Sequence, residues 1–362
     1  MRTTAFIGLL ALLHGTVCSQ STPEDSTTDR VQGKGQFLIL PALGYTPETR
    51  FLGGAVAGYF WKSQDTLRKS SLTGQLIYTQ NDQVQGGVSF EIFSDSGRSK
   101  VTGETMYSYW PGKFFGLGNK TPAQAEEPFT EKFLRSMVGI YFSVGPGLSL
   151  GPEFELRVSK VVGTARAGAL ESGNVGGVER YVASGIGVGA LLDTRDDNFV
   201  PGMGRSVYLS GRWFSGAFGS DYTFARYTLD AREYVPLYGD HVLGVQAYLC
   251  AISGSAPFQM LSLLGGEQRG RGYYEGRYRD NVLIACQAEY RSPLVFRCGL
   301  VLFGGITQVA RNLSGLALGE IHPYVGFGIR FRLLKDTRVN LRFDWGYGDD
   351  SSGNYIGVNE AF

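Results

Sequence analysis

Apolar residues alternate with other residues at a period of two along most of this chain, in stretches of about ten residues separated by turn residues. One stretch places Leu72, Gly74, Leu76 and Tyr78 on one face and polar side chains on the other. A period of two is typical of a β-strand, because successive side chains point to opposite faces. The 52 glycines among 362 residues also disfavour long helices, where each Gly costs about 1 kcal/mol relative to Ala. The chain is therefore predicted to be all-β.

Sixteen such segments follow one another between residues 37 and 362. They are 37–46, 51–62, 71–80, 83–93, 99–110, 132–144, 147–162, 178–192, 204–214, 221–237, 241–254, 281–291, 295–308, 322–333, 337–347 and 354–362. Short connections alternate with long ones, and the long ones are 111–131, 163–177, 255–280 and 309–321. An even strand number with short turns on one side and long loops on the other is typical of outer-membrane barrels. We expect a transmembrane antiparallel up-and-down β-barrel.

A soluble β-sandwich is the main alternative fold, and the two faces of the strands argue against it. In the segment 337–347, Leu341, Phe343 and Trp345 form an apolar face, whereas Arg342 and Asp344 lie on the opposite face. A sandwich buries its apolar face against a second sheet, but a membrane barrel turns that face to lipid and keeps a polar lumen. We therefore expect a polar lumen with no inward apolar core.

The chain divides into three parts. Residues 1–19 have a basic start, a short apolar stretch and a polar end, which is the layout of a secretory signal peptide. Residues 20–36 are polar and are expected to form a short disordered periplasmic lead, and 37–362 form the barrel. The predicted location is the outer membrane of a Gram-negative bacterium, with the lipid bilayer as a partner. A formal net charge of +1 argues against nucleic acid.

Few residues outside the signal segment are suited to catalysis. After residue 19, the only histidines are His241 and His322, and they lie on separate predicted strands. Neither a catalytic triad nor a histidine metal site is therefore expected. No enzyme activity and no cofactor are predicted. The glycine-rich run 185–189 precedes no helix, so it is interpreted as a smooth inner wall rather than a nucleotide loop.

The cysteines do not indicate a set of disulfide bonds. Cys250, Cys286 and Cys298 form an odd set, and Cys286 and Cys298 flank one predicted turn. Directly opposed strand positions usually hold their Cβ atoms too far apart for an unstrained disulfide, so free thiols are expected.

The long connection 255–280 carries a motif, LLGGEQRGRGYYEGRYRD, in which Gly265 and Gly266 precede Arg271, Gly272 and Tyr273. This resembles the BamA/TamA-type bacterial surface antigen superfamily, whose sixth extracellular loop carries an Arg-Gly-Phe/Tyr motif folded back into the barrel. The resemblance implies a noncatalytic barrel that assembles or translocates outer-membrane proteins or lipids. Outer-membrane protein clients and partner lipoproteins are the partners it implies. A porin-like solute channel and a structural scaffold for a partner barrel are the alternatives.

A second stretch, 191–210, is similar to the family's turn motif through Asp193, Arg195, Asp196, Pro201 and Gly204. The last three predicted strands also resemble the end of such barrels, including the final Phe. Ion pairs and side-chain hydrogen bonds within the turn are enough to explain its charges, although a cation site is the alternative.

The chain departs from the family at two points. About 17 residues stand where family members usually have periplasmic POTRA domains, so docking through such domains is not expected. Where the family usually has Phe-x-Asp facing the loop arginine, this chain has Phe303, Gly304 and Gly305. By strand phase, Glu289 and Asp344 face the lumen and are the expected partners of the arginine, because a buried guanidinium favours a carboxylate. An arginine in a solvated surface loop is the alternative.

The joint between the first and last predicted strands forms a seam with three notable residues. Pro41 lies in the middle of the first strand and has no N–H to give to a ladder. Gly357 and Phe362 lie in the short last strand, which offers few cross-strand bonds. In the family that the chain resembles, this seam acts as a lateral gate. The alternative is that Pro41 marks a bulge and nothing opens.

Overall fold

Sixteen antiparallel strands close into one barrel in the computed structural model, which describes residues 35–62, 69–166, 168–332 and 339–362. The all-β barrel prediction is confirmed. The expected signal peptide, 1–19, and nearly all of the expected lead, 20–36, lie outside the described residues.

The barrel strands run in chain order around the wall. They are β1 (Gln36–Thr46), β2 (Arg50–Lys62), β3 (Lys69–Thr79), β4 (Val84–Phe93), β5 (Ser99–Phe114), β6 (Glu127–Gly145), β7 (Leu148–Thr164), β8 (Tyr181–Asp193), β9 (Gly204–Phe214), β10 (Phe224–Pro236), β11 (Val242–Gly254), β14 (Val282–Arg291), β15 (Cys298–Ala310), β16 (His322–Arg332), β17 (Asn340–Gly348) and β18 (Ser351–Val358). The short strands β12 (Ser262–Leu264) and β13 (Tyr278–Asp280) pair with each other inside the connection between β11 and β14. The other elements in the described part of the chain are five 3₁₀ helices of three residues each. Within the described residues, no helix is long and apolar enough to cross a membrane.

The two faces of each strand follow the predicted alternation. On β3, Leu72, Leu76 and Tyr78 are exposed on the outer surface, whereas Thr73 and Gln75 are buried on the inner one. The glycines at 185, 187 and 189 are buried, and the residues between them are exposed, as expected for a smooth inner wall. The outer surface is thus apolar around the barrel, as a lipid-facing surface must be.

The prediction of a lumen without an apolar core is wrong. Inward-facing side chains at the long-loop end pack into a cluster that includes Phe114, Phe214 and Phe224, together with Phe258 and Met260 from the connection after β11. A second apolar cluster lies on the inner faces of β1 and β2. The long connections therefore cover that end of the barrel and pack with the strands into an apolar core, as in a soluble protein. Below this core, much of the inner wall is polar.

Strand lengths differ strongly around the barrel. β6 has 19 residues and β7 has 17, whereas β17 has nine and β18 has eight. The last strand ends at Val358, not at 362 as predicted, because Asn359 takes a left-handed conformation with φ of 63° and turns the chain inward. The wall is therefore shortest beside its closing joint.

The three described cysteines are free thiols, as expected. Cys286 lies opposite Ile306, whereas Cys298 lies opposite Phe331 on β16. The ladder therefore holds the two thiols that flank the turn far from disulfide geometry.

Candidate functional site

The connection 255–281 folds back into the barrel and carries Arg271 to a position where its side chain is fully buried. Glycines allow this path. Gly265 has φ of +107°, and a Cβ there would meet the carbonyl oxygen of Tyr274 at 2.2 Å. Gly266 has φ of +82°, in the same left-handed region. The alternative of a solvated Arg271 is therefore wrong.

Arg271 binds two carboxylates and one aromatic ring. Its Nη2 donates to Oε2 of Glu289 at 2.7 Å, and its Nη1 donates to Oδ2 of Asp344 at 2.8 Å. The guanidinium carbon lies 3.4 Å from the ring centroid of Phe303. Glu289 is on β14 and Asp344 is on β17, so the arginine joins two strands that are not neighbours. Gly305 on β15 stands where the family usually has the Asp that faces the loop arginine. In this chain, Glu289 on β14 and Asp344 on β17 bind the arginine instead.

Three more arginines balance the charge around this contact. Arg291 donates to Glu289 at 2.9 Å, Arg330 donates to Asp344 at 2.6 Å, and Arg342 donates to a loop carboxylate at 2.6 Å. The full set, the loop network, contains four cations and four carboxylates: Arg271, Arg291, Arg330, Arg342, Glu267, Glu289, Asp344 and Glu360. Buried charges are tolerated in such paired arrangements, since each unpaired one costs several kcal/mol.

Two glycines on β17 create the space for the motif. A Cβ on Gly346 would lie 2.5 Å from the carbonyl carbon of Arg271, and a Cβ on Gly348 would lie 2.3 Å from the ring of Tyr273. Gly272 has φ of +117°, and a Cβ there would meet the β17 backbone at 2.8 Å. The loop therefore lies directly on the inner face of β17. Gly346 and Gly348 were not predicted as site residues, although by the period of two both lie on the same strand face as Asp344.

Backbone and tyrosine contacts extend the attachment to the last strands. The N–H of Gly272 donates to the hydroxyl of Tyr355 on β18 at 2.9 Å. The hydroxyl of Tyr273 donates to the Pro323 carbonyl and accepts from the Asp349 N–H, both at 2.8 Å. Burial raises the pKa of Tyr273 to about 12, so this hydroxyl keeps the proton that it donates. The motif thus holds β16, β17 and β18 together from inside.

A second charge network, which we call the far-wall network, lies on β5–β10 and was not predicted. Its members are Arg135, Arg157, Arg212, Arg226, Glu104, Glu131, Glu153 and Glu155. It also reaches the loop, because Nη2 of Arg226 donates to the Met260 carbonyl at 2.8 Å. The loop is therefore anchored on both sides of the lumen.

The turn motif of 193–204 is held internally. Arg195 forms an ion pair with Asp193 at 2.6 Å, and one carboxylate oxygen of Asp196 accepts from the N–H of Gly202 at 2.8 Å. Pro201 also accepts a hydrogen bond from Arg291 at 3.3 Å, which joins the turn to the loop network. Gly204 has φ of +94°. Within the described residues, no cluster of three or more His, Cys, Asp or Glu side chains could hold a metal ion.

The seam between β1 and β18 is paired at one register position, Tyr45 opposite Ile356. Pro41 lies opposite Ala55 in a β1–β2 register that runs without a shift, so Pro41 marks no bulge in the β1–β2 pair. Gly357 faces inward, with Arg342 Nη2 3.2 Å from a Cβ placed there.

Phe362 is not part of the seam. It packs inside the barrel against Tyr234, and its carbonyl accepts from Arg291 at 3.0 Å. The residues after Val358 are drawn inward because Arg330 and Asn340 bind Glu360, at 2.6 and 3.0 Å. The edge of β1 before Leu43 therefore has no strand residues of β18 opposite it.

Glu48 connects the seam to the loop. It lies in the turn between β1 and β2, is 6% exposed, and accepts the N–H of Glu275 at 2.7 Å. Its own carbonyl accepts from Asn81 and Gln83 of the next hairpin. Burial, and next the charge of Glu275, raise the pKa of Glu48 to about 7. This carboxyl is therefore expected to titrate near neutral pH.

Replacing Glu48 with Gln should stabilise the protein at pH 8 and have little effect at pH 5. The folded pKa is above the unfolded one, so the charged form opposes folding, and stability falls as the pH rises from about 4.5 through about 7. Gln keeps the acceptor without the charge, a gain on the order of 1–3 kcal/mol at pH 8. Thermal unfolding at both pH values measures it, with Glu179→Gln, an exposed acid, as the control. Equal shifts at both pH values would contradict the assignment.

These features define a class: a lipid-facing antiparallel barrel with a long loop folded back into its lumen. The Omp85 superfamily domain matches residues 164–347, which is half of the chain. The chain belongs to the Omp85 superfamily, and its barrel is of the outer-membrane type. The resemblance to BamA/TamA-type barrels is confirmed.

Among the solved structures that share the fold are two that match nearly the whole chain. One is BamA from Haemophilus ducreyi lacking POTRA domains 1–3, with a TM-score of 0.63 and 14% identity, over 98% of this chain and 76% of that one. The other is CdiB from Escherichia coli, with a TM-score of 0.55 and 9% identity, over 92% of this chain and 64% of that one. No curated protein sequence matches the chain.

Proposed function

We propose that this protein is a noncatalytic outer-membrane barrel that assembles or translocates outer-membrane proteins or lipids by opening laterally between β1 and β18. The observation that carries the proposal is the seam. β17 and β18 pair continuously from Leu341–Val358 to Gly348–Ser351, whereas β1 and β18 share one register position. An edge with unpaired N–H and C=O groups is a template for another strand.

The short strands beside the seam support the same proposal. At about 3.3 Å per residue and a tilt of roughly 40°, the eight residues of β18 span about 20 Å, less than the ~25 Å apolar band of such barrels. The 19 residues of β6 span more than twice as much. The bilayer must adapt to this difference, and hydrophobic mismatch has a cost at the short side.

A passive solute channel is the weaker candidate. The buried loop and the two charge networks occupy the lumen between the far wall and β14–β18, and two cavities lined by loop residues are about 20 and 10 Å³, room for about one water molecule each. A stable pore would require the loop to leave, and its buried ion pairs oppose that.

Locking the seam should abolish function. The pair to join is Tyr45 and Ile356, which lie opposite each other across the seam. Tyr45→Cys with Ile356→Cys, in a background where the native cysteines are Ser, should fail to restore the envelope of a deletion strain once a reducible thiol cross-linker joins the two side chains. The cross-linker spans the roughly 5 Å between opposed Cβ atoms, which a direct disulfide spans only with strain. Adding a reductant should recover function.

The matched control is Leu341→Cys with Val358→Cys, a registered pair within the β17–β18 ladder that does not cross the seam. It should restore the envelope whether cross-linked or reduced. Full activity of the cross-linked seam variant would exclude lateral opening and leave the scaffold function as the better candidate.

A further inference from the structure

A row of cations crosses the outer surface of β6, β7 and the start of β8, at the long-loop end of the apolar wall. Lys132 and Lys160 lie directly opposite each other in the ladder, and both are exposed. Arg180, also exposed, precedes Tyr181, which pairs with Ser159 next to Lys160. We call Lys132, Lys160 and Arg180 the cationic row.

These side chains point away from the lumen. The residues on either side of Lys132 in sequence, Glu131 and Phe133, are buried, as are those on either side of Lys160. The far-wall network therefore lies on the other face of the sheet. One further contact is a tyrosine ring on β5: the Nζ of Lys132 lies 5.5 Å from the ring centroid of Tyr109.

Within the described residues, no acidic side chain forms an ion pair with any member of the row. Like charges directly opposite each other in an antiparallel pair are destabilising. The short-turn end of the barrel shows the contrasting case, since Arg205 and Glu233 are directly opposed on the outer surface and form an ion pair at 3.3 Å. The stability of the fold therefore does not explain why three cations lie together in the cationic row. Their arrangement suits the binding of an anion from outside the protein.

The surface next to the row is apolar. One pair further along the same face, Leu134 lies opposite Val158, and the face continues through Phe154 to Leu150. An anion that binds the row thus has hydrocarbon surface beside it on one side. A ligand that fills both surfaces must join an anionic group to a hydrocarbon portion, as an amphiphile does. Lysines near a membrane boundary place their ammonium groups at the level of the lipid headgroups.

We propose that the cationic row is a binding site for a phosphate-bearing lipid of the leaflet at the long-loop end. The phosphate lies between Lys132, Lys160 and Arg180, and the acyl chains lie along Leu134 and Val158. The Cβ atoms of opposed residues are about 5 Å apart, which allows two ammonium groups to approach one phosphate. This site is on the opposite face of the wall from the loop and does not depend on the seam.

The experiment is thermal unfolding and lipid binding of the purified full chain in a neutral detergent, titrated with lipid A, with its dephosphorylated form, and with inorganic phosphate. Lipid A should raise the melting temperature of the wild type, and the other two should not. In Lys132→Gln with Lys160→Gln, lipid A should bind roughly tenfold to thirtyfold more weakly, from about 1 kcal/mol per surface charge.

The matched control is Arg205→Gln with Glu233→Gln, which removes an opposed charge pair from the same outer surface and should bind lipid A like the wild type. Without lipid, the double lysine variant should be at least as heat-stable as the wild type, because a repulsion is removed. Unchanged lipid A binding in that variant would overturn the proposal. So would an equal response to inorganic phosphate or to the dephosphorylated lipid.

Discussion

Replacing Arg271 with Ala should lower the free energy of unfolding by about 3–5 kcal/mol and release the loop from the lumen. Glu289 and Asp344 would lose a shared cation in a site where both are fully buried. Thermal unfolding in detergent measures the loss, and limited proteolysis within 255–281 reports the position of the loop. Lys120→Ala, which breaks an exposed ion pair with Glu320, should cost about 0–1 kcal/mol.

A combined variant separates charge from packing. Arg271→Ala leaves three cations and four carboxylates in the loop network. Adding Glu289→Gln removes one carboxylate and restores equal numbers, so part of the lost stability should return. If Arg271→Ala unfolds like the wild type with its loop still protected from protease, the arginine does not hold the loop.

Replacing Gly346 with Val should also displace the loop, for a steric reason. The new Cβ would lie 2.5 and 2.6 Å from the carbonyl carbon and oxygen of Arg271, and backbone atoms cannot yield as a flexible side chain can. We expect a loss of about 1–3 kcal/mol, as for other substitutions that insert extra atoms into a well-packed region. Gly53→Val is the control, because nothing lies within 4 Å of a Cβ there and Val suits a strand.

Protease sensitivity of the loop and the melting temperature give the readout for Gly346→Val. A variant with wild-type values on both would mean that the loop does not depend on its close approach to β17.

The barrel could be predicted from the sequence because a membrane wall imposes a simple repeating rule. Alternation of faces located all 16 strands, and the same phase placed Glu289 and Asp344 in the lumen. The error in the last strand has a specific cause: residues 359–362 are compatible with a strand, but Arg330 and Asn340 bind Glu360 and draw them inward. Such long-range side-chain bonds leave no periodic signal.

The far-wall network and the apolar cluster were missed for a related reason. Alternation indicates that Glu155 or Phe214 points inward, but not what it meets across the lumen. Arg212, for example, donates to Glu153 and Glu155 on a strand two positions away. Those pairings depend on how the barrel closes and how the long connections fold over it, and neither is local in sequence.

In mechanical terms, the inward loop divides the barrel into two parts: the strands that it bonds together, which form a rigid unit, and the first four strands, which can move relative to them. Its bonds reach the far wall at Arg226, β14 at Glu289, β17 at Asp344 and β18 at Tyr355, so these parts of the wall are cross-braced. The first two hairpins join this brace at the Glu48 turn, which also ties them to each other. Any displacement at the closing joint is therefore expected to break the bond between Glu48 and Glu275 and to move β1–β4 as one unit about the β4–β5 ladder, while the remaining strands keep their arrangement.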